Sequence, residues 1–204
     1  MAKFTMAQRR IYDAALRLFA AKGSSDISVS ELAATAGVAR GTIYNNLEST
    51  EHLFEQVAAQ LADEMDERIV ASYADITDPA MRMAIGVRLY IRRAHEEPHW
   101  GRFLANFGMT SAGLRKIWTG PPMQDFMLGL STNRYHFRAE QTIAALGLLG
   151  GTTLSGILLV LEGLATWRDA GSDAAELILK ACGISAEEAR QMATAELPPL
   201  VELP

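Results

Sequence analysis

Apolar residues recur at three- and four-residue spacing along nearly the whole chain, and no sustained alternating run of β-branched residues interrupts them. Only a helix gathers such residues onto one face, so the chain is expected to be all-α. Its 204 residues, 49% hydrophobic and 21% charged, suffice for one or two domains with a full core. This composition excludes general disorder and collagen-like or disulfide-rich scaffolds. The single cysteine, Cys182, can form neither an intramolecular disulfide nor a thiolate cluster, and is expected as a buried structural thiol. The opening Met1-Ala2-Lys3-Phe4 lacks the apolar core of a secretion signal, so a cytoplasmic location is expected.

Capping residues, glycines and prolines divide the pattern. A first helix is expected over 5–22, stopped by Gly23. Ser28 and Glu31 form a capping box flanked by a staple of Ile27 and Leu32, opening a short helix that ends before Gly37. A third helix covers 40–47, and Ser49 caps a long fourth with the stripe Leu53, Val57, Leu61, Met65 and Ile69. Asp78-Pro79 opens the next helix, and Pro98 breaks it before a helix over 99–107. Another helix begins near Ser111, Gly120-Pro121-Pro122 interrupts there, and a helix follows over 123–130. A long helix is expected over 139–169, then one capped by Ser172 and a last one opened by Ser185 and Glu188.

From Gln141 to Leu161 the chain carries no charge. That length could span a membrane, but four glycines and several hydroxyl residues dilute it, and no basic cluster flanks it. No membrane association is expected. Gly147, Gly151 and Ser155 recur every fourth residue, a stripe without bulk that lets another helix approach closely. With Leu158 they are the expected homodimer interface.

The net charge of −5 divides unevenly: residues 1–52 hold six basic and five acidic residues, the remainder 13 basic and 19 acidic. A small DNA-binding head on an acidic body is permitted by this split. Two short helices joined by Gly37-Val38-Ala39 have the spacing of a helix-turn-helix. The stretch from Ser28 through Glu31-Leu32-Ala33, Gly37-Val38 and Arg40-Gly41-Thr42-Ile43-Tyr44 resembles the N-terminal domain of TetR-type transcriptional regulators. So do the preceding helix and the continuation Leu47-Glu48-Ser49-Thr50.

The resemblance implies a DNA-binding domain over 1–48 and a helical ligand-binding and dimerisation domain over 49–204. It places Arg40, Gly41, Thr42, Asn45 and Asn46 in the recognition helix and its entry, with Tyr44 reaching a phosphate, Ser30 touching the backbone or a base, Thr50 at a phosphate position and Ser28 also among the DNA-binding residues. The partner implied is a palindromic double-stranded operator, released when an apolar small molecule binds. Ala39 stands where the family has a capping hydroxyl and Thr50 where it has a lysine. These departures leave an alternative: an all-α small-molecule-binding or interaction protein whose helix-turn-helix no longer binds DNA.

No residue set argues for catalysis, a cofactor or a metal. His95-Glu96-Glu97-Pro98-His99 matches a zinc-protease pattern in letters, but Pro98 disrupts the helix that must present both histidines together. The middle of the chain offers a binding constellation instead: Trp100, Phe103, Phe107, Trp118, Met123, Phe126 and Met127 crowd short, broken helices. Tyr90, Arg88, Arg92 and His95 precede them as candidate polar groups for the same ligand.

Overall fold

The computed structural model describes residues 5–47 and 52–202, and among these the regular structure is helical. Eleven α-helices follow in order: α1 (Met6–Lys22), α2 (Val29–Ala36), α3 (Arg40–Asn46), α4 (Leu53–Ser72), α5 (Pro79–Glu96), α6 (Pro98–Phe107), α7 (Arg115–Thr119), α8 (Pro121–Ser131), α9 (Thr142–Leu161), α10 (Trp167–Ala181) and α11 (Ala186–Thr194). A 3-10 turn, Ala139–Gln141, leads into α9. The expected boundary at residue 48, with Ser49 and Thr50, lies outside the described residues.

Local chemistry sets the ends. The Ser28–Glu31 capping box is formed, and a second box joins Thr5 to Gln8 at the start of α1. Gly23 and Gly37 close α1 and α2 in the left-handed region, at φ 62° and 63°. Asp78 caps α5 with Pro79 in the first turn, and the chain passes into α6 at Pro98.

Three expectations are corrected. The helix expected over 139–169 is two helices. Gly163 adopts φ 72°, and Thr166 accepts a hydrogen bond from the Asp169 N–H, so the chain turns and restarts at Trp167. Ser172 is therefore inside α10 rather than at its cap. The helix expected near Ser111 begins only at Arg115: residues 112–114 form a turn, across which the Ser111 hydroxyl accepts from the Leu114 N–H at 3.4 Å. The helix expected from residue 123 starts at Pro121, since the prolines occupy its first turn instead of interrupting it.

Helix α5 is the axis of the body, with twelve of its eighteen residues buried. Helices α6, α8, α9 and α10 pack around it. Helix α9, with the turn before it, is long and apolar enough to cross a membrane, at a mean hydropathy of 2.0 over its most apolar window, 39% of which is buried in this fold. Its two sides differ. Leu146, Leu149, Leu154 and Ile157 are buried, and Gly150 and Gly156 let Trp118 and Ile91 come close. On the other side Ile143, Leu148, Leu158 and Leu159 are exposed, and a Cβ added at Gly147 or Gly151 would meet nothing within 4 Å. Leu177 of α10 is exposed as well.

Candidate nucleic-acid interface and effector cavity

The head is built by aligning α3 on a buried anchor. Ile43 is fully buried and Leu47 nearly so, which turns the opposite side of α3 outward. Arg40, Gly41, Tyr44 and Asn45 are exposed there, and Tyr44 at 63% is unusually open for an aromatic ring. Ser30 is exposed on α2, and Thr42 is half-buried. Two expected contact residues are already engaged within the head. The Ser28 hydroxyl accepts from the Glu31 N–H at 3.2 Å, and Asn46 donates to the Thr42 carbonyl at 2.8 Å. Helix α3 begins at Ala39 with no side-chain cap, as the alanine there requires.

Arg10, absent from the expected set, fixes the angle of the motif. Its Nη2 donates to the carbonyls of Ala36 and Gly37, at 2.7 and 3.0 Å, in the turn between the two short helices. A cation suits the carbonyl end of α2. A Cβ at Gly37 would lie 2.7 Å from that nitrogen, and the residue's φ of 63° already favours glycine. The signal in the sequence was a polar residue beside the stripe of α1, indistinguishable from a solvated one. Lys22 bonds Glu31 at 2.7 Å, and with Ser28 holds that carboxyl at about 2.

Head and body meet through aromatic rings. Phe54 of α4 touches Phe19 of α1 at 5.2 Å and Phe103 and Phe107 of α6 at 5.6 and 4.9 Å between centroids. Asn106 donates to the Ala20 carbonyl at 3.2 Å.

The body holds a narrow cavity of about 40 Å³ between α4, α5, α7, α8 and α9. Of the aromatics and methionines expected around a ligand, Tyr90 and Trp118 line it; Trp100, Phe103, Phe107, Met123, Phe126 and Met127 do not. Trp100 lies against Tyr90 and under the Arg93 guanidinium. Phe103 and Phe107 belong to the head–body cluster, and Phe126 packs on Tyr135 and Phe137. Met123 is half-buried and Met127 is exposed. Arg88, Arg92 and His95 are also outside the lining. Helical spacing places residues on one face without saying which neighbour that face meets.

The lining also takes in residues not expected: Ile69, Tyr73, Val87, Leu149 and the carboxylates Asp66 and Asp125. Burial pushes Asp66 to about 7, with Lys116 opposing the shift and Asp63 adding to it. Burial also raises Asp125, against the pull of the Arg82 guanidinium bonded to it. The Tyr90 hydroxyl is buried without a hydrogen-bond partner among the described residues, and its pKa is well raised by burial. Asp66 stands in the acidic run Asp63-Glu64-Met65-Asp66-Glu67 and Asp125 alone among mostly apolar residues, and neither setting marks a buried acid in the sequence. Only the closing of α4, α5, α7, α8 and α9 around one cavity desolvates them.

His95 and His99 are both exposed, one in the last turn of α5 and the other in the first turn of α6. Cys182 is buried, and its thiol is pushed up to about 12 by desolvation.

Two family models match the chain. Residues 11–57 match the model of bacterial regulatory proteins of the tetR family. Residues 78–195 match the tetracyclin repressor-like C-terminal domain. The chain belongs to the TetR family of transcriptional regulators. TetR-family proteins are DNA-binding regulators and not enzymes. An uncharacterised HTH-type transcriptional regulator of Mycobacterium tuberculosis is 30% identical over 93 residues, 46% of this chain and 46% of its own length. The chain thus spans about half the length of the curated relatives it matches. The structure of RolR bound to resorcinol superposes with a TM-score of 0.72 at 25% identity, covering 96% of each chain. A TetR-family regulator from Shewanella sp. PV-4 gives 0.74 at 19% identity, covering 87% and 98%. FadR of Bacillus subtilis with stearoyl-CoA gives 0.70 at 16%, covering 87% and 99%. The latter two likenesses concern the fold.

Proposed function

We infer that this TetR-family chain is a homodimeric repressor that leaves a palindromic operator when a small, mostly apolar molecule enters the cavity beneath α4. The cavity's position carries the reading. Asp66 and Ile69 of α4, with Tyr73 just past its end, form one wall of it, and Phe54, near the start of the same helix, is packed against the head. A ligand larger than the closed cavity acts by favouring an arrangement in which α4 has moved, and its effect equals its differential affinity for the two arrangements. The resorcinol bound to RolR supports a ligand of small aromatic size. Arg40, Gly41, Thr42, Tyr44 and Asn45, with Ser30, are the contacts to DNA in this reading. Ser28 and Asn46 keep the motif's shape, and Thr50 is a further contact to DNA in this reading. The open face of α9, with Gly147, Gly151, Ser155 and Leu158, is the dimer contact. Family membership supports a location with the DNA, in the cytoplasm.

The test is selection of bound fragments from random DNA by the purified protein, followed by anisotropy titration with resorcinol and other small aromatic compounds. Gly86 lines the cavity, and a Cβ added there would meet nothing within 4 Å. Gly86→Leu is therefore expected to fill the cavity, keep operator affinity and abolish release. Release that survives this substitution would place the effector elsewhere.

A further inference from the structure

A second pocket, about 440 Å³, opens between α5, the start of α10 and the segment after α11, and it shares no lining residue with the effector cavity. Three guanidinium groups line it: Arg88 and Arg92, one turn apart on α5, and Arg168 on α10. The Trp167 ring stacks with two of them, at 5.4 Å from Arg92 and 4.3 Å from Arg168. Stacking on a ring orients a guanidinium while leaving the donors at its edge available.

Carboxylates do not balance these cations. Arg92 pairs with Glu96 at 2.8 Å, and exposed Glu196 stands at the rim. Arg88 and Arg168 have no ion pair among the described residues. Arg88 is only 9% exposed; its Nη2 donates to the Ala195 carbonyl at 2.8 Å, and its Nη1 is buried with no partner among the described residues. A buried charged donor left unsatisfied is costly, and an anion answers it. Helix α10 begins at this wall, so its amide end adds partial positive charge. The volume exceeds that of a single oxyanion and falls within the range of small-molecule sites.

We propose that this pocket is a second ligand site of the protein, taking a small organic carboxylate whose charge is met by Arg88, Arg92 and Arg168 and whose apolar body lies against Trp167 and Leu197. The site gives the protein an input chemically unlike the first cavity, which offers almost no free donor to an anion.

Benzoate titrated calorimetrically into the full-length protein tests this, with benzamide as the uncharged analogue of equal shape and inorganic phosphate as the charge without the body. Arg168 is exposed and holds no carboxylate, so Arg168→Gln preserves the fold. Benzoate is expected to saturate one site per chain, and both Arg168→Gln and the change to benzamide are expected to weaken binding about ten-fold or more. Gly86→Leu, which fills the other cavity, is expected to leave benzoate binding unchanged. Absence of saturation at millimolar benzoate overturns the proposal. So does equal binding of benzamide, equal binding by Arg168→Gln, or loss of binding in Gly86→Leu. Phosphate binding as tightly as benzoate overturns the organic part of the assignment.

Discussion

Arg93 of α5 donates from one nitrogen to both carboxylate oxygens of Glu64 on α4, at 3.0 and 3.2 Å. Arg93 is 3% exposed, bonds Glu97 at 3.1 Å and covers the face of Trp100 at 4.6 Å. Glu64 is two residues from Asp66 in the cavity wall. Any displacement of α4 that widens the cavity therefore works against this ion pair.

Weakening the pair should ease release from DNA. In Glu64→Gln the buried guanidinium keeps Glu97, and the Glu64 side chain is 32% exposed, so the loss is expected near 1–2 kcal/mol rather than the 3–5 of a fully buried broken pair. Urea denaturation reads the stability change. Operator anisotropy should show half-maximal release at lower effector concentration. An unchanged effector midpoint would mean that α4 does not move against α5.

The desolvated Asp66 makes stability depend on pH. Its folded-state value of about 7 exceeds the ordinary 3.8, so between those values the folded state binds the extra proton. This contribution favours folding at low pH and is lost as pH rises through about 7. Asp66→Asn is expected to match wild type near pH 4 and to be more stable at pH 8, by on the order of 1–2 kcal/mol after solvent screening. Urea denaturation of both proteins at the two pH values checks the sign.

Two head residues should fail differently. Tyr44→Phe removes a hydroxyl assigned to phosphate, so affinity should fall alike for every operator variant. Arg40→Ala should cost about 1–3 kcal/mol on the preferred site and flatten the preference at one base pair in each half-site. Fluorescence anisotropy against single-base variants at fixed salt separates the two. In a two-fold dimer, half-site centres should lie about 34–36 Å apart or a multiple of that.

Gly151→Leu isolates the dimer contact. A side chain there meets nothing within 4 Å of its Cβ in the single chain, so helicity and fold should be retained. Overpacking against a second copy should weaken association by about 1–3 kcal/mol. Sedimentation or light scattering across a dilution series reads the shift. A mutant that associates as tightly as wild type would move the interface away from this stripe.

The head was legible in the sequence because its devices are local. The Ser28–Glu31 box and the left-handed Gly37 act within a few residues, and the structure forms both. The open stripe of Gly147 and Gly151 was legible for the same reason, as a four-residue repeat on one helix. The break at Gly163 was marked by Thr166 and Asp169, but the apolar run before it was stronger and hid it. Partner choice was not local. Phe103 and Phe107 share a face of α6 as the spacing predicts, yet that face meets Phe54 and not the cavity. The desolvation of Asp66 and the reach of Arg10 to Gly37 arise only when helices distant in sequence close over them.

The ring of Phe19 gives the molecule a thermodynamic property beyond its place in the head. It is 1% exposed, and its aromatic neighbours, Phe54 and Phe103, belong to α4 and α6. A chain cut before α4 would leave that ring wet. Head and body should accordingly melt in one transition, and a ligand bound in the body should slow hydrogen exchange at the amides of α1. In the proposed reading, the head is then stable only as long as the body is folded, so a chain that loses the body to proteolysis is expected to lose operator binding with it.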